Sequence, residues 1–190
     1  MTAVRRETVL ADGRRVWLRP VQRDDGPALA EAFRRLSHDS ARWRFGAAPR
    51  VLTAAALRQL IDAVDGIDHV AFAAVVHADH KSVNGSRRAA RHEGGSYRIV
   101  GIGRILRYPD DGDSLDVAIT VADDYQGVGL GKTLAELLAA HRPSPARRIR
   151  TQVQPGNDRA LALLGLFGAT QRTSGDGEVV IEFEERPGSQ

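Results

Sequence analysis

The chain has 190 residues, 42% of them hydrophobic, a formal net charge of +3 and no cysteine. That length suits one domain with a sizeable core. The absent thiols exclude disulfides, cysteine nucleophiles and thiolate metal sites, and make a cytoplasmic address the default expectation. The small charge excess does not by itself point to nucleic acid. No apolar run approaches the roughly 18–20 residues of a membrane span, and the charged start Met1–Glu7 has no apolar stretch behind it to make a signal peptide.

Taken in order, Thr8–Ala11, Asp12-Gly13 and Arg15–Arg19 predict a hairpin, because Asp-Gly supplies the positive φ of a tight turn. Pro20 ends its second strand. Asp24 or Asp25 is placed to N-cap a helix carrying Leu29, Phe33 and Leu36 on one face. Ser37–Phe45 reads as a polar-aromatic connection, in which Trp43 and Phe45 either line a substrate groove or close the core. Thr53 caps a second helix with Leu57, Leu60, Ile61 and Val64 inward, and His69–Val76 is a buried strand.

The stretch His77–Ser96 reads as an extended, mobile hairpin loop. Its His77, His80 and His92 have no scaffold to fix metal geometry, so no metal is expected. Its arginines lack interleaved aromatics, so no nucleic-acid partner is expected either. Tyr97–Arg107 is a long strand in which Gly101 and Gly103 signal a bulge. Asp110–Asp113 turns the chain into another strand at Leu115–Val121. Arg148–Val153 is a further strand, Pro155–Asp158 opens the last helix with Leu161, Leu164 and Phe167 inward, and the final strands lie near Thr170–Thr173 and Glu178–Phe183. The domain is expected over residues 16–184, with residues 1–15 as an N-terminal hairpin strand and 185–190 as a tail.

Between Val121 and the helix of Leu130, Leu134, Leu137 and Leu138 lies Gln126-Gly127-Val128-Gly129-Leu130-Gly131. Glycines where a helix begins let main chain approach a ligand, and the free N–H groups favour phosphate. Three patterns compete. A P-loop ends Gly131-Lys132-Thr133 acceptably, but its first glycine should stand at 126. A dinucleotide loop needs Gly-x-Gly-x-x-Gly, whereas position 132 is lysine. The acyl-coenzyme A pattern Gln/Arg-x-x-Gly-x-Gly/Ala is matched by Gln126, Gly129 and Gly131.

With its preceding strand and following helix, this stretch resembles the GNAT superfamily of N-acetyltransferases. Three further segments carry the resemblance: Leu18-Arg19-Pro20 before an acidic pair, Val153-Gln154-Pro155-Gly156-Asn157, and Leu166-Phe167-Gly168-Ala169, where the usual order of Gly and Phe is exchanged. The resemblance implies a mixed, mostly antiparallel α/β sheet with helices on both faces and a splay between the fourth and fifth core strands. It implies acetyl-CoA as cosubstrate and no metal. The main chain of Ile119, Thr120 and Val121 would pair with the pantetheine arm. The pyrophosphate would sit on Gln126, Gly127, Val128, Gly129, Leu130, Gly131 and Lys132, with Lys132 and Thr133 assisting, and Asn157 is either a coenzyme contact or a helix cap. The Val121 region would supply an N–H to the developing oxyanion.

An amine acceptor must lose a proton before it attacks. Asp116 stands where related protein-acetylating members carry a glutamate, and is the expected base; Asp113, Glu93 and His69 are reserves. The tyrosine often found after the Asn is missing, which leaves Tyr97, Tyr108 and Tyr125 and no assigned acid. The expected function is acetyl transfer to an amine, with a protein lysine favoured over a small amine, in a monomer or homodimer. The alternatives are an acyl-CoA-binding regulatory module with little catalysis and, on the near-miss P-loop, a nucleotide hydrolase. No membrane partner is expected.

Overall fold

A computed structural model describes residues 6–45, 53–77, 90–92, 95–168, 170–172 and 177–183. Most of the expected 77–96 loop, His80 and Glu93 included, lies outside the described residues, as does the side chain of Phe45. The Asp12-Gly13 turn closes a hairpin of β1 (Arg6–Val9) and β2 (Arg15–Pro20). Gly13 has φ 84°, and the Asp12 carboxylate accepts the Arg14 N–H at 3.1 Å. Next come β3 (His69–His77), the short β4 (Ala90–His92), β5 (Gly95–Arg107) and β6 (Ser114–Val121). The strands β7 (Arg148–Gln152), β8 (Thr170–Arg172) and β9 (Glu178–Glu182) finish the sheet.

The sheet order is β1-β2-β3-β5-β6-β7-β9-β8, with β4 paired to β5 off that path. Every pairing is antiparallel except β6 with β7. That parallel pair holds register only at Ser114↔Arg148 and Leu115↔Ile149; beyond it the two strands part. The mixed sheet and its splay are as the resemblance implies.

Helices cover both faces. On one face α4 (Leu130–Ala140) buries Leu130, Leu134, Leu137 and Leu138, each worth about 1.5–3 kcal/mol of transfer free energy. Gly101 and Gly103 of β5 lie beneath it: a Cβ at Gly103 would stand 3.0 Å from Leu138 Cδ1, and one at Gly101 3.1 Å from Leu134 Cδ1. These glycines therefore admit the helix. The predicted bulge falls beside them at Val100, the extra residue between the pairs Ala74↔Gly101 and Val75↔Ile99. Helix α5 (Asp158–Leu164) lies on the same side, with Leu164 and Phe167 buried in the same core.

The opposite face carries α1 (Gly26–Arg34) and α3 (Ala54–Ile61), which bury Leu29, Phe33, Leu60 and Ile61 over Ala71, Ala73 and Ile102. Thr53 caps α3 as predicted, accepting the Ala56 N–H at 3.1 Å. Asp25 precedes α1 but does not cap it. Its carboxylate is fully buried and turns back to Arg19, whose two terminal nitrogens donate to it at 2.7 Å each, with Tyr97 Oη donating at 2.6 Å.

The segment after α1 also departs from expectation. Ser37–Phe45 is not a connection; it contains the helix α2 (His38–Phe45). Its sequence HDSARWRF has no apolar stripe, so periodicity gave no signal. The helix is held at its start instead, where Ser37 Oγ accepts the Ser40 N–H at 3.2 Å and Asp123 accepts from the Ser37 N–H and both serine hydroxyls.

Candidate active site

The site grows from the place where β6 and β7 part. Ala122 donates its N–H to the Val100 carbonyl at 2.9 Å. With the β5–β6 register, this turns the main-chain groups of Ala118 and Thr120 toward β5 and those of Val117, Ile119 and Val121 toward the gap. The free edge of β6 is therefore made by Ile119 and Val121. Thr120 departs from the sequence expectation: its main chain serves β5, and it lines a small apolar recess on the α1 face with Leu29, Phe33 and Leu36.

Past β6, a 3-10 turn at Asp123–Tyr125 leads into the glycine loop. Gly127 and Gly129 have φ 75° and 93°, and at neither would a Cβ meet a heavy atom within 4 Å. Their need for glycine is conformational, and the main chain there stays uncovered. Gly129 is the N-cap of α4, and no side chain caps that end. Gly131 is constrained differently, since its Cβ would stand 3.2 Å from Leu163 Cδ1 of α5.

The loop is braced from three sides. The hairpin turn reaches it through the Ala11 N–H to the Val128 carbonyl at 3.1 Å and Arg14 Nη2 to the Asp124 carbonyl at 2.7 Å. Leu130 anchors it in the core. The Gln126 side-chain amide donates to Ser40 Oγ at 3.0 Å and to the Val121 carbonyl at 3.2 Å, while its oxygen accepts from Arg159 at 2.9 Å. Asp123 joins α2 to this network; burial raises its pKa, but the Ser40 and Ser37 donors outweigh that and hold it below the usual carboxylate value. On the far bank, α2 sets the Trp43 ring against the β7–α5 turn, 3.7 Å from where a Gly156 Cβ would be. Helix α2 thus touches both sides of the splay.

Asp116 is the first β6 residue beyond the last β6–β7 pair. Its Oδ1 accepts the Thr151 hydroxyl at 2.7 Å, and its Oδ2 lies 3.6 Å from Arg104 Nη2 of β5. Thr151 and Arg104 carry no sequence signal beyond alternation along their strands. Arg104 Nε is buried without a partner. His69, two pairs across the sheet, is buried with neither ring nitrogen hydrogen-bonded; burial, then the nearby Arg104 charge, lowers its pKa and disfavours the charged ring.

The remaining expected residues are placed as follows. Asn157 caps α5, its Oδ1 accepting the Ala160 N–H at 3.1 Å. Lys132 is exposed and lies 3.8 Å from Glu136, while Thr133 Oγ1 donates to the Gly129 carbonyl at 3.2 Å. Asp113 sits on an exposed turn, its carbonyl accepting from Arg147 and Arg148. Tyr97 serves Asp25, and Tyr125 is buried under the Arg14 guanidinium at 3.8 Å. Tyr108 Oη donates to the Arg150 carbonyl at 3.0 Å; burial, then the Asp116 charge, pushes its pKa up.

A strand whose free edge leads into a main-chain anion cradle is a fold-level arrangement with known relatives. The acetyltransferase (GNAT) domain family matches residues 15–170. The chain belongs to the GNAT acetyltransferase family. Acetyltransferase PA5475 of Pseudomonas aeruginosa is 32% identical over 176 residues, 90% of this chain and 84% of that protein. The crystal structure of the GNAT domain of S. lividans PAT matches with a TM-score of 0.73 at 26% identity, over 94% of this chain and 96% of that one. Salmonella typhimurium YncA, solved with its cofactor acetyl-CoA, shares the fold with a TM-score of 0.60 at 14% identity, over 91% and 96% of the two chains.

As a member of the GNAT acetyltransferase family the protein is an acyl-transfer enzyme. The free β6 edge and the uncovered main chain at Gly127 and Gly129 fit a strand-like pantetheine arm followed by a pyrophosphate. Among the described residues no group of three or more His, Asp or Glu side chains is arranged to hold a metal ion, and no helix is long and apolar enough to cross a membrane.

Proposed function

We propose that this GNAT enzyme acetylates an amine, with a protein lysine as the favoured acceptor, and that Asp116 is the base. The observation that carries this reading is the position of the Asp116 carboxylate, one residue past the last β6–β7 pair and part-exposed at the splay. In this reading the Ile119 and Val121 main chain pairs with the pantetheine arm. The amides from Gln126 to Lys132 receive the pyrophosphate, Thr133 and Asn157 flank it, and the Thr120 side chain borders the acyl end. The Val121 N–H faces the oxygen on which negative charge develops. Asp116 takes a proton from the acceptor ammonium, through water where the aspartate is too short to reach, and the freed amine attacks the thioester carbonyl; the C–S bond breaks, and coenzyme A leaves as the thiolate and takes up the second amine proton as the amide forms.

The preference for a protein lysine draws on the Leu18-Arg19-Pro20 opening, the Ser37–Phe45 segment and the setting of Asp116. Helix α2 adds an acceptor-side surface at the splay with exposed Arg42 and half-buried Trp43, suited to an extended chain lying across it.

Calorimetric titration with acetyl-CoA, with ATP and NAD as controls, tests the cosubstrate assignment. The expected result is micromolar binding of acetyl-CoA alone. Asp116→Ala should then keep that affinity and lose roughly 100-fold or more in kcat. Full activity in Asp116→Ala would remove Asp116 from the mechanism. Thiol release with lysine-containing proteins compared with simple diamines tests the acceptor, and turnover with diamines alone would reverse the preference.

A further inference from the structure

We infer that Thr151 is a positioning residue for the base, serving both protonation states of Asp116 through a single hydroxyl. The inference rests on the reading of Asp116 given above. Thr151 is on β7, two residues beyond Ile149, the last β7 residue in register with β6. It is 5% exposed and turns its hydroxyl across the opening gap. Two acceptors on β6 compete for its one hydrogen, Asp116 Oδ1 at 2.7 Å and the Val117 carbonyl at 3.3 Å. A continuing ladder would place a β7 main-chain donor beside Val117; at the divergence the Thr151 hydroxyl stands in for it.

The two distances describe the carboxylate state. A hydroxyl donates one hydrogen and accepts through two lone pairs, and the shorter contact marks the carboxylate as the acceptor that wins. Arg104 Nη2 lies on the Oδ2 side at 3.6 Å, so an arriving proton is favoured on Oδ1. When an acceptor ammonium gives up its proton, the products are a neutral amine and a neutral Asp116 carboxyl. The new O–H then donates to Thr151 Oγ1, and the Thr151 hydrogen turns wholly to the Val117 carbonyl. No heavy atom needs to move: in one state the carboxylate takes the Thr151 hydrogen, and in the other the Val117 carbonyl takes it while the hydroxyl oxygen accepts from the protonated Asp116.

Kinetics on four single variants and one double variant test this. Thr151→Val keeps the shape and removes the hydroxyl, Thr151→Ala is a second hydroxyl-free variant should valine not fold, and Thr151→Ser restores the hydroxyl. Asp116→Asn supplies the background for a double-mutant cycle. Thr151→Val should lower kcat about tenfold, the scale of one lost hydrogen bond, with the calorimetric Kd for acetyl-CoA unchanged. Thr151→Ser should recover most of the rate, and in Asp116→Asn the valine substitution should have no further effect on kcat. A wild-type kcat in Thr151→Val, an equal loss in Thr151→Ser, or the same tenfold loss within Asp116→Asn would each overturn the inference. Full activity in Asp116→Asn would instead overturn the reading of Asp116 and take this inference with it.

Discussion

Gly177 lies hard against the Val153 carbonyl. A Cβ at Gly177 would stand 2.5 Å from that oxygen, and Gly177 has φ 75°. The Val153 N–H in turn donates to the Gly177 carbonyl at 2.8 Å, closing the end of the β7–β9 pair. Gly177→Ala meets main chain and not a movable side chain, and adopts a left-handed backbone as well. It should cost about 2–4 kcal/mol, read as a lower urea midpoint. An unchanged midpoint would mean that the start of β9 shifts freely.

The Arg19–Asp25 pair should control stability without touching the chemistry. Burial raises the Asp25 pKa, but Arg19, then Tyr97 and the Gln22 N–H, outweigh it and hold the carboxyl below its ordinary value. A lowered folded pKa contributes stability above the unfolded value of about 3.9, and that contribution is lost as pH falls through the folded value. Asp25→Asn leaves Arg19 buried without its counter-charge and should cost about 3–5 kcal/mol. The gap in unfolding free energy between the two proteins should be constant above about pH 5 and narrow below about pH 4. A gap that did not narrow in acid would rule out the carboxylate as its source.

Gly129→Ala should weaken acetyl-CoA binding more than it weakens the fold. The position has φ 93° and open space around the missing Cβ, so the substitution meets backbone strain of roughly 1–2 kcal/mol and places a methyl group on the uncovered side of the loop. Calorimetry should show at least tenfold weaker acetyl-CoA binding. Equal affinity would mean that the coenzyme does not approach this face of the loop.

Asp123→Ala should release α2 from the loop. Because hydrogen bonds hold the Asp123 pKa low, the anchor is present above the ordinary carboxylate range and fades as pH falls through the folded value. The variant should raise KM for the acceptor several-fold at neutral pH, with a smaller change in acetyl-CoA affinity. An unaltered acceptor KM would show that α2 does not border the acceptor.

Much of the architecture was legible because it rests on short-range rules. The Asp12-Gly13 hairpin, the Thr53 cap and the leucine spacing of α4 each name their structure within a few residues. The glycine loop was legible for the same reason. What escaped depends on distant partners. Helix α2 has no periodic stripe, and Asp123, far along the chain, holds its first turn. Asp25 sits where a cap belongs, yet Arg19 and Tyr97 claim its carboxylate. The main-chain facing of Thr120 follows from hydrogen-bond parity with β5, which no residue type announces. Thr151 is one of several alternating residues on its strand until β6 is placed beside it.

The brevity of the β6–β7 pairing has a mechanical consequence. Strands β7, β8 and β9 join the rest of the sheet through two register positions, Ser114↔Arg148 and Leu115↔Ile149. A ligand lying along β6 and touching both banks acts as a removable strand that stitches the two parts together. Amide exchange in β7 and β9 should therefore slow when acetyl-CoA is present, while β3 and β5, paired on both sides, should exchange at the same rate with or without it. The enzyme's own cohesion would then rise and fall with the supply of its substrate.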